Sequence, residues 1–352
     1  MDVLSDVIST VRTGRPVAAR VEWYAPWGLR LPGSGGGSFQ VVLQGSAWLL
    51  VEGEEPRRLA VGDVVFLPHG QVHTLADSPG TPVTDLRGAT HLSEGGVELG
   101  GGRPGAPVAD LVCGREGLRP FRTAALGDRS DDAVPACVTV GGSYHSCTTR
   151  RHPLIAELPR VVHLPHRVGA RPELAAAVDL LGGELDRPRP GSDAIIPSLL
   201  DMLLLFILRA YLEEHRPDSA CGWVGALRDP AVSAAVRAVH EDPAHPWSVA
   251  ELGERAGLSR AAFSKRFTGM VGQSPLAYVT WWRLTSAAHL LREGDLPLSS
   301  IAAKVGYGSQ FAFANAFKRE FGLPPGRYRA GAPPKDDERH VSAANSGTHT
   351  SA

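Results

Sequence analysis

The residues best suited to chemistry lie in two similar segments near the C-terminus, WSVAELGERAGLSRAAFSKRFTGMVG and LPLSSIAAKVGYGSQFAFANAFKREFG. Each segment places short polar, amide and cationic side chains between phenylalanines. Such side chains bind phosphates and the edges of bases in the major groove. The two segments therefore predict two surfaces that bind double-stranded DNA.

Both segments carry the same start and stop signals for helices. Ser248, with Glu251 three residues later, has the pattern of a capping box. Gly257 and Gly306 supply the left-handed C-cap that a sharp turn requires. The pattern predicts two helix-turn-helix units, with helices over Val249–Ala256, Arg260–Phe267, Ser299–Val305 and from Ser309 to about Phe321.

Helical periodicity divides the second helix of each unit into two faces. Phe263 and Phe267 are four residues apart and must point inward, and Phe313, Phe317 and Phe321 form the same stripe in the second unit. The outward positions are then Arg260, Ala261, Ser264, Lys265, Thr268, Gln310, Phe311, Ala314, Asn315 and Lys318. Between the units, Pro275–Arg292 predicts one helix of about 27 Å, comparable with a DNA turn of about 34 Å.

Charge is distributed unevenly along the chain. Residues 223–329 contain 13 Lys and Arg against 8 Asp and Glu, whereas the whole chain of 352 residues has a formal net charge of −1. A basic region on an acidic remainder is typical of a modular DNA-binding protein.

This C-terminal segment resembles the DNA-binding domain of the AraC/XylS family of bacterial transcription regulators. The most specific matches are Ser309, Phe313, Phe317–Lys318–Arg319, Phe321–Gly322, Pro324–Pro325 and Tyr328–Arg329; further matches are Ala250, Gly257–Leu258–Ser259, Phe267, Trp282–Arg283–Leu284, Ala287, Leu290–Leu291, Ile301–Ala302 and Gly306–Tyr307. The resemblance implies that the two units read two adjacent segments of the major groove.

The resemblance also implies base-reading positions at Ala261, Ser264, Lys265, Gln310, Phe311, Ala314 and Asn315. Lys265 can donate to guanine, Gln310 or Asn315 can pair with adenine, and the alanines offer only a methyl contact. Phe311 departs from the family pattern, and either touches a thymine methyl or packs within the protein. Phosphate contacts are expected from Arg260, Arg283, Lys304, Lys318 and Arg319.

The N-terminal half predicts a β-structure. Short alternating runs at Phe39–Leu43, Ala47–Val51, Val64–Leu67 and Val161–Leu164 lie between Gly- and Pro-rich turns, and a long loop is expected over Gly100–Asp132. The fold class expected is α+β in two domains: a cupin-like barrel over 1–170, a helical linker and dimerisation region over 171–217, a DNA-binding domain over 218–330 and a disordered tail over 331–352.

The expectation of a cupin rests on the spacing Gly-x5-Pro-x-Gly-x2-His between Gly62 and His73. The cupin metal site needs a His-x-His pair and a carboxylate, but Ser38, Phe39 and Gln40 stand in their place, so no metal or other cofactor is expected. The barrel resembles the sensor of AraC-type regulators, and its candidate effector-pocket residues are Gln40, His69 and His73. The alternative, which the sequence favours for His73, is a barrel-lining residue that has a satisfied hydrogen bond.

A second cluster consists of Cys137, His145, Cys147 and His152. Its spacings match no short zinc motif. The alternatives to a zinc site are a thiol-based oxidant sensor and a set of unrelated residues on adjacent strands. In the oxidant sensor, Arg150 and Arg151 would lower the pKa of Cys147.

We therefore predict a cytoplasmic transcription regulator, not an enzyme, controlled by an unidentified small effector or a redox signal. A homodimer is expected through the apolar helix over Ser198–Leu212, with Leu203 and Phe206 at the interface. RNA polymerase is a partner if the protein activates transcription. The sequence lacks a signal-peptide pattern, and Ile195–Leu212 is interpreted as too short and too polar to span a membrane. The alternatives are a metal-dependent cupin enzyme fused to a DNA-binding domain, whose metal ligands are missing, and an architectural DNA-binding protein without an effector.

Overall fold

Strands occupy the first part of the chain and helices the second in the computed structural model of the protein. The structure describes residue 4 and residues 16–34, 36–85, 121–127, 134–144, 152–214 and 222–330. The described residues from 16 to 214 form one compact unit and those from 222 to 330 form another.

The N-terminal unit contains two sheets. Its strands are β1 Val17–Tyr24, β2 Gly28–Leu31, β3 Ser38–Gln44, β4 Ala47–Val51, β5 Arg57–Leu59, β6 Val64–Leu67, β7 His73–Ala76, β8 Thr84–Asp85, β9 Phe121–Gly127, β10 Cys137–Ser143 and β11 Val162–Leu164. One sheet has the order β11-β6-β3-β10-β1-β9 and the other has the order β5-β4-β7-β2-β8. Most pairs are antiparallel, but β1 pairs with β9 and β2 with β8 in parallel.

Both sheets contribute to a single apolar core. Trp23, Val42 and Val65 come from the first sheet, and Leu49 and Leu75 from the second. Within the described residues no strand pairing joins the two sheets, so the cupin-like barrel is not closed. The predicted fold class is confirmed, with the barrel as two facing layers over one core.

Three helices complete this unit, namely α1 Pro153–Glu157, α2 Pro172–Asp186 and α3 Ser192–Glu214. The hydroxyl of Tyr144, at the end of β10, donates a 2.6 Å hydrogen bond to the carbonyl of Leu200 and ties α3 to the first sheet. α3 begins six residues before the predicted Ser198 and includes Pro197. It is long and apolar enough to cross a membrane by length and composition, so the sequence-based interpretation was wrong on that point. Leu200, Leu203 and Leu204 are nevertheless fully buried within the unit, as in the core helix of a globular domain.

The C-terminal unit is helical in the residues described. Its helices are α4 Gly222–Arg228, α5 Pro230–Glu241, α6 Val249–Arg255, α7 Arg260–Val271, α8 Pro275–Glu293, α9 Leu298–Lys304, α10 Gln310–Phe321 and α11 Pro325–Arg329. The predicted pair of helix-turn-helix units is confirmed as α6–α7 and α9–α10, joined by the single helix α8. α7 extends one turn beyond its predicted end, because Met270 and Val271 are also buried and Gly272, in a left-handed conformation, caps the helix.

The predicted strands over residues 39–43, 47–51, 64–67 and 161–164 are present as β3, β4, β6 and β11. The long loop predicted over Gly100–Asp132 is wrong in part, since β9 lies inside it. β9 forms because a neighbouring strand supplies backbone partners, in the parallel register that sets Ala18 opposite Phe121. The tail over 331–352 lies outside the described residues.

Candidate DNA interface and effector pocket

The first helix-turn-helix unit is built by local capping. Ser248 Oγ accepts the backbone N–H of Glu251 at 3.1 Å and starts α6. Gly257 has φ +66°, the left-handed conformation that turns the chain after α6. Ser259 Oγ then accepts the N–H of Ala262 at 3.3 Å and starts α7. These short-range signals fix where the reading helix begins.

The two faces of α7 differ as the periodicity predicts. Phe263 and Phe267 are fully buried. Among the predicted DNA-binding residues of this unit, Arg260, Ala261 and Lys265 are exposed, whereas Ser264 is half-buried. The outward face of α7 therefore presents two cations and short side chains, a combination that fits a major groove.

The second unit repeats this arrangement. Gly306 has φ +78°, and Ser309 Oγ accepts the N–H of Ala312 at 3.1 Å to start α10. Phe313, Phe317 and Phe321 are buried and stack in sequence, with 4.4 Å between the ring centroids of the last two. The predicted DNA-binding residues on its other face are Gln310, Phe311, Asn315, Lys318 and Arg319, all exposed, and Ala314, which is half-buried.

Phe311 is the unusual member of this face. Its side chain is 78% exposed, so it does not pack in the interior of the unit. Burying an aromatic ring is favourable, and an exposed one on a recognition helix is available for contact with a thymine methyl. The packing alternative left open by the sequence does not apply to the free protein.

Two arginines near these faces have intramolecular partners instead. Arg266 Nε donates to Asp229 at 2.9 Å, and Asp229 also caps α5 through the N–H groups of Ala231 and Val232. Burial acts to raise the pKa of Asp229, but the bonds from Val232 and Arg266 outweigh it and hold that pKa below its ordinary value. Arg266 is therefore a structural residue.

Arg283 differs from the expectation that it binds phosphate. Its Nε donates to the carbonyl of Pro243 at 2.7 Å and its Nη2 to the carbonyl of His245 at 2.8 Å. The side chain is partly buried, and this burial lowers its pKa. The loop that supplies both carbonyls immediately precedes the first unit in the chain. No sequence motif signals the hydrogen bonds between this loop and Arg283.

In the N-terminal unit, the structure brings together two of the three candidate effector-pocket residues. Gln40 Nε2 lies 3.2 Å from His73 Nε2, and both side chains are buried. His73 Nδ1 lies 3.2 Å from the carbonyl of Gln71, so Nδ1 carries the proton and Nε2 accepts from the Gln40 amide. Burial lowers the pKa of His73 to about 4 in spite of the bond to Gln71, which leaves an uncharged imidazole at neutral pH.

The strand neighbours of this pair are apolar, namely Leu31 and Val51 beside His73 and Val65 beside Gln40, except for a glycine and a hydroxyl near Gln40. Gly141 lies opposite Gln40 in the strand register, and a Cβ there would come within 2.4 Å of the Gln40 amide oxygen. Ser38 precedes Gln40 by two residues and shares its face of the strand. The Ser38 hydroxyl is buried and has no hydrogen-bond partner in the part of the chain that the structure describes.

The third candidate, His69, has a different environment. Its Nε2 lies 2.8 Å from the carbonyl of Leu158, beyond the end of α1. The neighbouring motif residue Asp63 accepts the N–H groups of Ala60 and His166 and contacts His163 Nε2 at 3.1 Å. The motif that resembles a cupin therefore serves in part to fasten the turn before β6 to the segment around β11.

Of the second cluster the structure describes Cys137 and His152, whereas His145 and Cys147 lie outside the described residues. The thiol of Cys137 is buried in the core between the sheets, and burial raises its pKa to about 12. A thiol of this kind is a poor nucleophile at neutral pH. His152, from the same cluster, caps α1 by accepting the N–H of Leu154 at 3.1 Å. Over the described residues, no group of three or more His, Cys, Asp or Glu side chains could hold a metal.

Comparison with known proteins agrees with both halves of this description. A family model described as a cupin matches residues 2–213, and a model described as a helix-turn-helix domain matches residues 252–331. An AraC-like transcription regulator of Streptomyces lividans is 34% identical over 330 residues, which is 94% of this chain and 98% of that protein. The transcriptional regulator AlkR of Acinetobacter baylyi is 26% identical over 338 residues, or 94% and 99% of the two chains.

Among solved structures, the DNA-binding domain of AdpA in complex with a target DNA is similar to the C-terminal region. It is 30% identical, covers 29% of this chain and 92% of that chain, and superposes with a TM-score of 0.28.

Proposed function

Since this chain belongs to the AraC-like transcription regulators, with a cupin region followed by a helix-turn-helix DNA-binding domain, we propose that α7 and α10 read two adjacent major-groove segments of one operator. The observation that carries the proposal is the division of both helices into a buried phenylalanine face and an exposed face of cationic, amide and small side chains. The exposed groups are the donors that base edges and phosphates require.

We assign separate roles to the exposed residues. Ala261, Ser264, Lys265, Gln310, Phe311, Ala314 and Asn315 contact bases, whereas Arg260, Lys304, Lys318 and Arg319 contact phosphates. Lys265 carries the preference for guanine in the first segment. Gln310 and Asn315 carry a preference for adenine in the second.

Selection of bound duplexes from random DNA by the full-length protein tests this proposal. The expected product is a motif with two conserved elements about one helical turn apart. A motif with one element, or the absence of enrichment by both the full chain and a fragment of residues 218–330, would show that the proposed bipartite reading is wrong.

For the N-terminal region we propose a sensor that binds an uncharged, hydrogen-bonding molecule at Gln40 and His73. The imidazole is neutral, the carboxamide is neutral, and the nearby hydroxyl of Ser38 lacks a partner among the described residues. The described residues of the adjoining core are apolar. An ionised ligand would lose its hydration there without gaining an opposite charge from the described residues of this core.

Thermal-shift measurements against a panel of neutral and ionised metabolites test this assignment. The molecules of the panel that raise the melting temperature of the wild-type protein are expected to be neutral ones. The combined change Gln40→Leu with His73→Leu should remove that shift. Stabilisation that survives in the double variant would place the ligand elsewhere. A redox signal at Cys137 has less support than a neutral ligand, because the thiol is buried and burial raises its pKa.

We also propose a homodimer, with domains divided as residues 1–170 for sensing, 171–217 for dimerisation and 218–330 for DNA. Leu203, predicted at the interface, is fully buried inside its own unit, and Phe206 is half-buried. Ile195 and Met202 are 44% and 40% exposed on α3 and, seven residues apart, lie on one side of the helix. They support a contact between the α3 helices of two copies.

The remaining assignments concern partners and catalysis. We propose RNA polymerase as a partner if the protein is an activator. The test is whether transcription in vitro from the selected operator rises when the protein is added. We propose that the chain is not an enzyme, because its relatives are named as transcription regulators and the positions of cupin metal ligands hold Ser38 and Gln40.

A further inference from the structure

Arg283 lies near the middle of α8, the helix that joins the two helix-turn-helix units. Its two donated hydrogen bonds end on the carbonyls of Pro243 and His245, in the loop between α5 and α6. Guanidinium N–H groups held in a fixed fork can satisfy two carbonyls at once. Arg283 therefore ties α8 to this loop at two points.

The same loop is attached firmly to the first helix-turn-helix unit. His245 Nε2 lies 2.6 Å from the carboxylate of Glu251 on α6. The guanidinium of Arg255, also on α6, lies 4.8 Å from the ring centroid of Trp247. Trp247 Nε1 in turn donates to the carbonyl of Asp242 at 2.8 Å, which closes the loop on itself. A displacement of this loop would be transmitted to α6.

The second unit meets the loop through its turn glycine. A Cβ added to Gly306 would lie 2.8 Å from the carbonyl oxygen of Ala244 and 3.0 Å from Cζ of Arg283. The corresponding glycine of the first unit, Gly257, has nothing within 4 Å of an added Cβ. The two glycines have similar backbone conformations, with φ of +66° and +78°. Only the second one is therefore also required for close packing between segments.

We propose that Arg283, the loop 242–247 and Gly306 form a joint that fixes the separation and orientation of the two reading helices. Arg283 is then a positioning residue that determines which spacing between two DNA elements the protein accepts. The inference rests on the proposed bipartite reading of DNA. A rigid joint favours simultaneous binding of both units, because the second unit is already in place when the first has bound.

Arg283→Lys distinguishes this role from the phosphate contact that the sequence predicts. Lysine keeps the positive charge and can still contact a phosphate, but it cannot reproduce the two-point fork. Binding of the full-length variant is measured on a selected two-element duplex, on duplexes that retain only one element, and on duplexes with one base pair added or removed between the elements.

The joint predicts a specific pattern of losses. Arg283→Lys should weaken binding to the two-element duplex about tenfold or more, and change binding to either single element less than about twofold. The preference for the native spacing should become weaker. Retained binding to single elements serves as the internal control that both units of the variant are folded.

Gly306→Ala and Gly257→Ala provide a matched pair. Both place alanine in a left-handed conformation and incur a similar strain. Only Gly306→Ala also forces Ala244 of the loop and the guanidinium of Arg283 away from residue 306. We expect loss of spacing preference in Gly306→Ala and its retention in Gly257→Ala.

The outcomes separate the inference from the function on which it rests. If the wild-type protein binds two elements no more tightly than one, the bipartite reading is wrong and the inference fails with it. If the wild-type protein prefers two elements and Arg283→Lys keeps both this preference and the spacing dependence, the joint alone is overturned. Equal behaviour of the two glycine variants would also overturn it.

Discussion

The two units of this protein place their polar side chains in opposite ways. On α7 and α10 the cationic and amide groups point into solvent, and the aromatic rings are buried. Between the two sheets, Gln40 and His73 are buried and bond to each other. An exposed donor can bind a large partner at little cost in desolvation, whereas a buried donor must be satisfied from within or by a small ligand. The contrast separates the surface that we propose reads DNA from the interior that we propose senses a small molecule.

The largest expected effect tests burial at neighbouring positions of α3. Leu203→Ala should lower the free energy of unfolding by about 2–5 kcal/mol, because Leu203 is fully buried. Met202→Ala should cost less, since the side chain is 40% exposed in the single chain, and its cost should depend on protein concentration because the proposed dimer contact covers it. Urea unfolding measures both values. A large loss in Met202→Ala would place that side chain in a buried interface.

Dimerisation at the exposed side of α3 gives a companion measurement. The double change Ile195→Glu and Met202→Glu should convert a dimer into a folded monomer, as measured by sedimentation velocity. A dimer of unchanged mass in this variant would exclude the exposed side of α3 as the interface.

The second prediction concerns acid stability of the sensor. The folded state holds His73 neutral down to a pKa of about 4, whereas the unfolded chain binds a proton near the ordinary value of about 6.5. The free energy of unfolding therefore falls by about 3 kcal/mol as the pH is lowered from about 6.5 to about 4, counting this residue alone. His73→Gln should remove that part of the pH dependence in unfolding curves.

His69→Gln is the matched control, because His69 is only half-buried and bonds to the carbonyl of Leu158. This variant retains His73 and should therefore keep the fall in stability that comes from His73. An identical pH profile in the wild-type protein and in His73→Gln would mean that the imidazole is not held in the buried, neutral state.

The third prediction sharpens the assignment of base contacts. Lys265→Ala should cost about 1–3 kcal/mol on duplexes with the preferred base at one position and much less on duplexes with another base there. Binding titrations over the four single-base variants measure this. A loss of the same size on all four duplexes would reassign Lys265 to a phosphate contact.

The smallest expected effect belongs to the phosphate contacts. Lys318→Ala should weaken binding uniformly over sequences and reduce the slope of log K against log salt by about 1, the value for one phosphate. Arg266→Ala is the control, because Arg266 bonds to Asp229 rather than DNA and its removal should leave the slope unchanged. An unaltered slope in Lys318→Ala would show that this lysine does not touch the backbone.

Much of the C-terminal unit could be predicted from the sequence because its signals are local. The capping serines, the turn glycines and the four-residue spacing of phenylalanines fix both helices and their faces. Arg283 could not be assigned in this way. An arginine on a helix has the same pattern whether it meets a phosphate or a carbonyl, and its partner is a loop 38–40 residues away in sequence.

The N-terminal unit was less predictable because its interactions are long-range. The spacing of the motif pointed to His73, but its pairing with Gln40 depends on the packing of strands from two different sheets. α3 is apolar on nearly every side, so its periodicity did not separate buried Leu203 from exposed Met202. β9 depends on a parallel partner distant in sequence, and a Gly-rich segment gave no sign of it.

Protection of guanine N7 from methylation by the bound full-length protein is a direct test of major-groove reading by both helices, because N7 lies in the major groove. If α7 and α10 both bind, two protected stretches are expected on one face of the selected duplex, about one helical turn apart. Lys265→Ala should abolish protection at one guanine of the first stretch only. A single protected stretch, or no protection of guanine N7 in a duplex that the protein binds, would contradict the reading of DNA by both α7 and α10.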